Sequence, residues 1–186
     1  MSIMTQQSFT LTEIARRLGA EQHRLIHLCE KDVVLPDFGG AAGRGSSRRF
    51  SGRNLLEFSI ALRLRKLQLP LASIRGILYV LREFEAKVAK KIPGFALPDS
   101  LREASAPELR IIVSDGEAIY FTLETKLFYG MPLLLDPASP STSGSPKLRP
   151  VTPAKRRAGR FGGPESSQFM RLEISVTEIA KALPLD

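Results

Sequence analysis

The stretch FTLTEIARRLGAEQHRLIHLCEK, residues 9–31, decides how this chain is read. Leu11, Ile14, Ala15 and Leu18 recur at i, i+3, i+4 and i+7, the spacing of one buried helical face. Thr10, followed three residues later by Glu13, forms a capping box at the start of that helix. Gly19 ends it after about two turns, and a second helical pattern begins almost at once. Two short helices joined by a tight glycine-containing turn are the sequence form of a helix-turn-helix.

The second of these helices holds both histidines and the single cysteine of the chain. At about 100° per residue, His23, Arg24, His27, Glu30 and Lys31 share an arc of about 120°, and Leu25, Ile26, Leu28 and Cys29 fall opposite. Cys29 lies about 160° from His27 on this wheel, so a metal site shared by the rare residues is not expected. The His23/His27 pair has the i, i+4 spacing of two ligands but no third ligand nearby except Glu30. Cys29 is expected to be a small buried packing residue. No metal and no cofactor are expected.

Composition sets the frame. A chain of 186 residues with 43% hydrophobic content can hold one medium domain or two small ones. One cysteine excludes an intrachain disulfide and a four-cysteine zinc module. The N-terminal MSIMTQQSFT lacks the apolar core of a signal peptide, and no run approaches the roughly 20 apolar residues that span a bilayer. A cytoplasmic, nucleoid-associated protein without membrane contact is expected. The net charge of +8 is unevenly placed: residues 1–91 hold 16 Lys and Arg against 8 Asp and Glu, and residues 92–186 hold 11 against 11. The basic surplus of the N-terminal half favours a polyanionic partner, nucleic acid first.

Beyond residue 31, VVLPDFGGAAGRGSSRRFS reads as a loop or short β-hairpin, a wing ending in a basic pair. Ser51 caps a third helix running to about Leu67, with Leu55, Phe58 and Leu62 inward and Arg53, Arg63, Arg65 and Lys66 outward. Pro70 separates it from a fourth. There Ile74, Ile77, Leu81, Phe84 and Val88 alternate steps of 3 and 4, which suits either a core face or a dimerisation seam. Pro93, Gly94 and Pro98 mark a boundary. After it, RIIVSDGEAIYFTL shows two strand-like runs around Asp115-Gly116, a hairpin signal. KLFYG and PLLLD follow as two candidate strands. Residues 137–164 hold 6 of the 13 prolines and 6 basic residues with no acidic one, the composition of a disordered insert. QFMRLEISV recovers strand alternation, and Ser175 with Glu178 caps a last short helix. The expected fold class is α+β. A winged helix-turn-helix of about four helices over residues 8–91 precedes a small antiparallel β domain over residues 100–186.

Three pieces together resemble the winged-helix DNA-binding domain of the MerR family of bacterial transcription regulators. They are FTLTEIARRLGA at the first helix, SSRRFS closing the wing, and LRKLQLPLASIRGIL. The last is similar to the family's Leu-Arg-x-Leu-Gly-x-Ser-Leu-x-x-Ile-Arg junction of the third and fourth helices. The resemblance covers about residues 8–90. The chain departs from it at His27-Leu28-Cys29-Glu30, where the family usually has Arg-Tyr-Tyr-Glu, and at Phe50, where the wing usually ends in Tyr. The cysteines of the metal-sensing branch are absent. The resemblance implies a homodimer that regulates transcription from a two-half-site operator.

Read from residues alone, the polar arc of the second helix offers Gln22, His23, Arg24, His27 and Lys31 to the major groove of double-stranded DNA, with Arg24 the best placed for base readout. Arg16 and Arg17 close the first helix, and Arg44, Arg48 and Arg49 lie on the wing, positions suited to phosphates. No Ser/His/Asp, paired-carboxylate or phosphate-loop arrangement stands out. Gly39, Gly40 and Gly43 lack the preceding strand and following Lys-Ser/Thr of a P-loop. An enzyme is therefore not expected. Two readings stay open: a sequence-specific regulator, or a DNA-binding adaptor or architectural protein, antitoxin-like or phage-type. In either, the C-terminal half could meet a protein partner or an effector.

Overall fold

The computed structural model describes residues 7–38, 48–114, 118–123, 127–132, 149–150 and 171–185. Helix α1 (Leu11–Leu18) starts on the expected capping box: the Glu13 N–H donates to Thr10 Oγ1 at 3.2 Å and the Thr10 N–H to Glu13 Oε2 at 2.6 Å. It ends at Gly19 in the left-handed region, φ 57°, while the Ala20 N–H closes back on the Ala15 carbonyl at 2.9 Å. Helix α2 (Gln22–Glu30) ends the same way without a glycine, with Asp32 at φ 52° and the Val33 N–H on the Leu28 carbonyl at 2.9 Å.

Helix α3 (Gly52–Lys66) is capped by Ser51 and Asn54, and its end repeats the motif around Gln68, φ 60°. There the Gln68 N–H meets the Arg65 carbonyl at 3.0 Å and the Leu69 N–H meets the Leu64 carbonyl at 3.2 Å. Gln68 occupies the place of the glycine in the resembled junction, so a side chain stands where the backbone favours none. Helix α4 (Leu71–Ala89) follows Pro70.

The C-terminal half supplies strands β1 (Leu109–Ser114), β2 (Ala118–Leu123), β3 (Leu127–Pro132), β4 (Arg149–Pro150) and β5 (Arg171–Ser175), then helix α5 (Val176–Lys181). All neighbouring strands are antiparallel, in the order β4-β3-β2-β1-β5. The strands on either side of Asp115-Gly116 pair with Ser114 opposite Ala118, and residues 115–117 lie outside the described residues. The expected strand KLFYG lies in β3, which runs on to Pro132, while residues 133–136 of the expected strand PLLLD lie outside the described residues. So does the expected insert over 137–164, apart from Arg149 and Pro150, which pair with β3.

The register Leu109–Leu123, Ile111–Phe121 and Val113–Ile119 puts these six buried residues on one face of the sheet, and Phe121 of that face meets α4. The rings of Phe84 and Phe121 stack at 5.2 Å between centroids. One hydrophobic cluster of buried residues draws on both sides of the boundary expected at residues 91–100, from Phe9 to Leu185. One expectation is corrected here. Ile74, Ile77, Leu81, Phe84 and Val88 are not a free dimerisation seam, since each is at most 2% exposed within a single chain. The helix stripe and the sheet face each need an apolar cover, and both find it in this one cluster.

Candidate nucleic-acid interface

Helix α2 divides its rare residues as its periodicity requires. Leu25, Leu28 and Cys29 are buried against the core, while Gln22, His23, Arg24, His27 and Glu30 are exposed, with Lys31 exposed just past the end. Ile26, expected on the buried side, is corrected: it is 40% exposed, because the apolar face of this short helix is filled by Leu25, Leu28 and Cys29. Burial pushes the Cys29 thiol up to about 11, with Glu30 adding to the rise and Arg48 opposing it. The thiol is therefore protonated at neutral pH and acts as an apolar side chain. Among the described residues, no group of three His, Cys, Asp or Glu side chains is arranged to hold a metal ion.

On the exposed arc, Arg24 Nε lies 3.0 Å from Glu21 Oε2 and His23 Nε2 3.6 Å from the same oxygen. Both Arg24 and Glu21 side chains are more than half exposed, so the pair is weak and Arg24 can leave it for a stronger acceptor. Arg16 is exposed at the end of α1. Arg17, expected at the DNA, is engaged within the chain. Its guanidinium carbon sits 4.9 Å over the Phe9 ring and its Nη1 donates to the Pro184 carbonyl, fastening the C-terminal tail to α1.

The wing has a built base. Phe9 and Phe50 exchange backbone hydrogen bonds of 2.7 and 2.9 Å, and Phe38 and Arg49 exchange two of 3.1 Å. Phe50 is core, edge-on to Phe58 at 5.5 Å, so the position needs an aromatic ring here and not a hydroxyl. The Arg48-Arg49 pair is exposed on this base. Arg48 acts electrostatically on Cys29 of α2 and Arg49 on Glu13 of α1, which puts the pair beside both helices of the helix-turn-helix. Hydrogen bonds from Thr10 hold Glu13 below the usual carboxylate range, with Arg49 and Arg17 adding to the effect. Arg44 lies outside the described residues.

Beneath the wing lies an ionic network that sequence reading missed. Glu57 of α3 is 1% exposed and receives Arg82 of α4 in a bidentate pair, Nε to Oε1 at 2.5 Å and Nη2 to Oε2 at 2.6 Å. Asn54 donates to Glu57 Oε2 at 3.0 Å and to the Leu35 carbonyl at 2.9 Å, and accepts from the Asp37 N–H at 3.0 Å. Arg82 also reaches the Leu35 carbonyl at 3.1 Å, and Arg53 bridges Asp37 at 3.6 Å and Glu85 at 3.3 Å. The hydrogen bond from Arg82 to Glu57 raises the arginine pKa further, so the guanidinium stays charged. For Glu57, burial pushes the carboxyl up while Arg82 and Asn54 pull it down. Leu35 and Asp37 open the wing, so the network fixes where the wing leaves the core. Only the Ser51 cap was legible as a motif; Glu57 and Arg82, 25 residues apart, have no local pattern. Comparison with protein-family models and with curated proteins finds no match to this chain.

Proposed function

We propose that this chain is a sequence-specific DNA-binding transcription regulator and not an enzyme. The observation that supports it is a helix–Gly19–helix unit whose second helix exposes Gln22, His23, Arg24 and His27 beside a wing base presenting Arg48 and Arg49. Helix α2 enters the major groove, where Arg24 is set to read guanine in a bidentate contact and Ile26 to meet a thymine methyl. Arg16, Lys31, Arg48 and Arg49 meet phosphates and set affinity. One such unit covers few base pairs, so the proposed active form is a homodimer on two half-sites, its contact lying outside the buried stripe of α4.

Selection of bound fragments from random DNA, with the complex weighed, tests this reading. The expected result is a short dyad-symmetric site carrying two chains. Binding without sequence preference, together with bending of the DNA, would instead mark an architectural protein.

A further inference from the structure

A groove of about 890 Å³ lies on the side of the molecule bounded by the α1–α2 turn, the C-terminal half of α3 and the β5–α5 segment. Its α3 wall is a stripe at helical spacing: Ser59, Leu62, Arg63, Lys66 and Leu67. Its opposite wall includes the four consecutive β5 residues 172–175. Successive side chains of a strand point to opposite faces, so a groove touching four in a row runs along the strand's edge and not its face. That edge is open, because among the described strands β5 is the last of the sheet and pairs only with β1. Its outward N–H and C=O groups form a template for one more strand.

The charges on the walls are not equivalent. Glu21 is engaged by Arg24 at 3.0 Å, Glu173 by Arg110 at 2.5 Å and Arg171 at 2.9 Å, and Glu178 lies 3.8 Å from Lys181. Arg63 and Lys66 are exposed and have no such partner among the described residues. Half-buried Leu18, Leu62, Leu172 and Ile174 give the groove an apolar floor. An apolar floor, an open strand edge and two unengaged cations are the complement of an extended, acidic and apolar chain.

We infer that this groove binds one extended peptide segment of another protein, carrying carboxylates and aliphatic side chains, laid along β5 as an added strand. Backbone hydrogen bonds to β5 supply the register, Leu62, Leu172 and Ile174 take the aliphatic side chains, and Arg63 and Lys66 take the carboxylates. Arg24 and Glu21 line the same groove, so the bound segment lies against one flank of α2. Any effect of that contact on DNA rests on the DNA-binding reading; peptide binding itself does not.

The test uses the full chain without DNA, so its failure leaves the DNA reading standing, and the converse also holds. A fluorescein-labelled synthetic peptide of about eight residues mixing Glu with Val and Ile, long enough to follow β5 at about 3.4 Å per residue, is titrated by anisotropy. Two comparison peptides carry Lys in place of Glu or N-methyl groups on alternate residues in both registers. The expected result is saturable binding of the Glu peptide, slowed amide exchange at Leu172 to Ser175, and a loss of at least about tenfold for the N-methylated peptides and for the double variant Arg63→Glu, Lys66→Glu. Both substituted side chains are exposed, and circular dichroism checks that the variant keeps its fold. Absence of saturable binding, or equal binding of the Lys peptide, overturns the inference. A doubling of mass that the double variant abolishes, without peptide binding, overturns it in favour of a second copy of this chain.

Discussion

Helices α2 and α4 both present an apolar stripe in the sequence, and the structure uses the two stripes differently. Six of the nine residues of α2 are exposed; only four of the nineteen of α4 are. The stripe on α2 is narrow, filled by Leu25, Leu28 and Cys29, and leaves a broad outer arc for a partner. The stripe on α4 is buried within the chain, with Phe84 stacked on Phe121 of the sheet, and its flank carries Arg82 into the pair with buried Glu57. Periodicity states which face of a helix is buried. It does not state what covers that face, which is why a heptad-like run fits a dimer seam and an intrachain core equally well.

The sharpest way to break this contrast is at Phe84. Phe84→Ala removes a ring stacked on Phe121 in a closed core, and a loss of about 3–5 kcal/mol is expected in urea unfolding. If the variant kept its stability but changed its mass in sedimentation, α4 would be a seam after all.

The network below the wing comes next. Arg82→Met leaves the Glu57 carboxylate buried without its partner, at a cost of about 3 kcal/mol or more. Glu57→Gln leaves an arginine that is 30% exposed and still near Asp37, so it should cost less. The order of the two midpoints in denaturant decides the matter: equal or reversed losses would mean that the pair is not what seats the wing.

On the α2 side the effects are on binding. Replacing Arg48 and Arg49 with Ala should leave unfolding within about 0.5 kcal/mol and lower the slope of log K against log salt by about 2, one for each lost phosphate contact. An unchanged slope removes the wing base from the interface. The smallest expected effect is at Cys29. With its thiol raised to about 11 from an ordinary 9.0, the folded chain should resist iodoacetamide at neutral pH while the denatured chain reacts. Because the folded value is the higher one, this burial contributes stability in full below about pH 9 and loses it as pH rises towards 11. Rapid alkylation of the native chain at pH 7 would show that the face of α2 carrying Cys29 is not closed.

Much of the fold was legible because its signals are local. Thr10/Glu13, Gly19, Ser51, Pro70 and Ser175/Glu178 act within a turn or two, and each stands where its chemistry predicts. The division of His23 and His27 from Cys29 followed from helical geometry alone. Ile26 was misread, and the intrachain engagement of Arg17 went unseen, for a shared reason. Whether a side chain at the margin of a face is covered depends on neighbours far away in sequence, for Arg17 the Pro184 carbonyl.

By itself the sequence determined the α+β class, four N-terminal helices with the caps of the first and third, the wing's place, and the outward arc of α2. These rest on backbone propensity and on the 3.6- and 2-residue periods, which any short segment carries within itself. Only the tertiary structure decided that Phe121 of the sheet stacks on Phe84 of α4 within one cluster drawn from both halves, that Glu57 and Arg82 meet beneath the wing, and that β5 offers an open edge beside Arg63 and Lys66. Those depend on which buried surfaces find each other, a choice made by shape, charge and the need to satisfy every buried polar group across the whole chain.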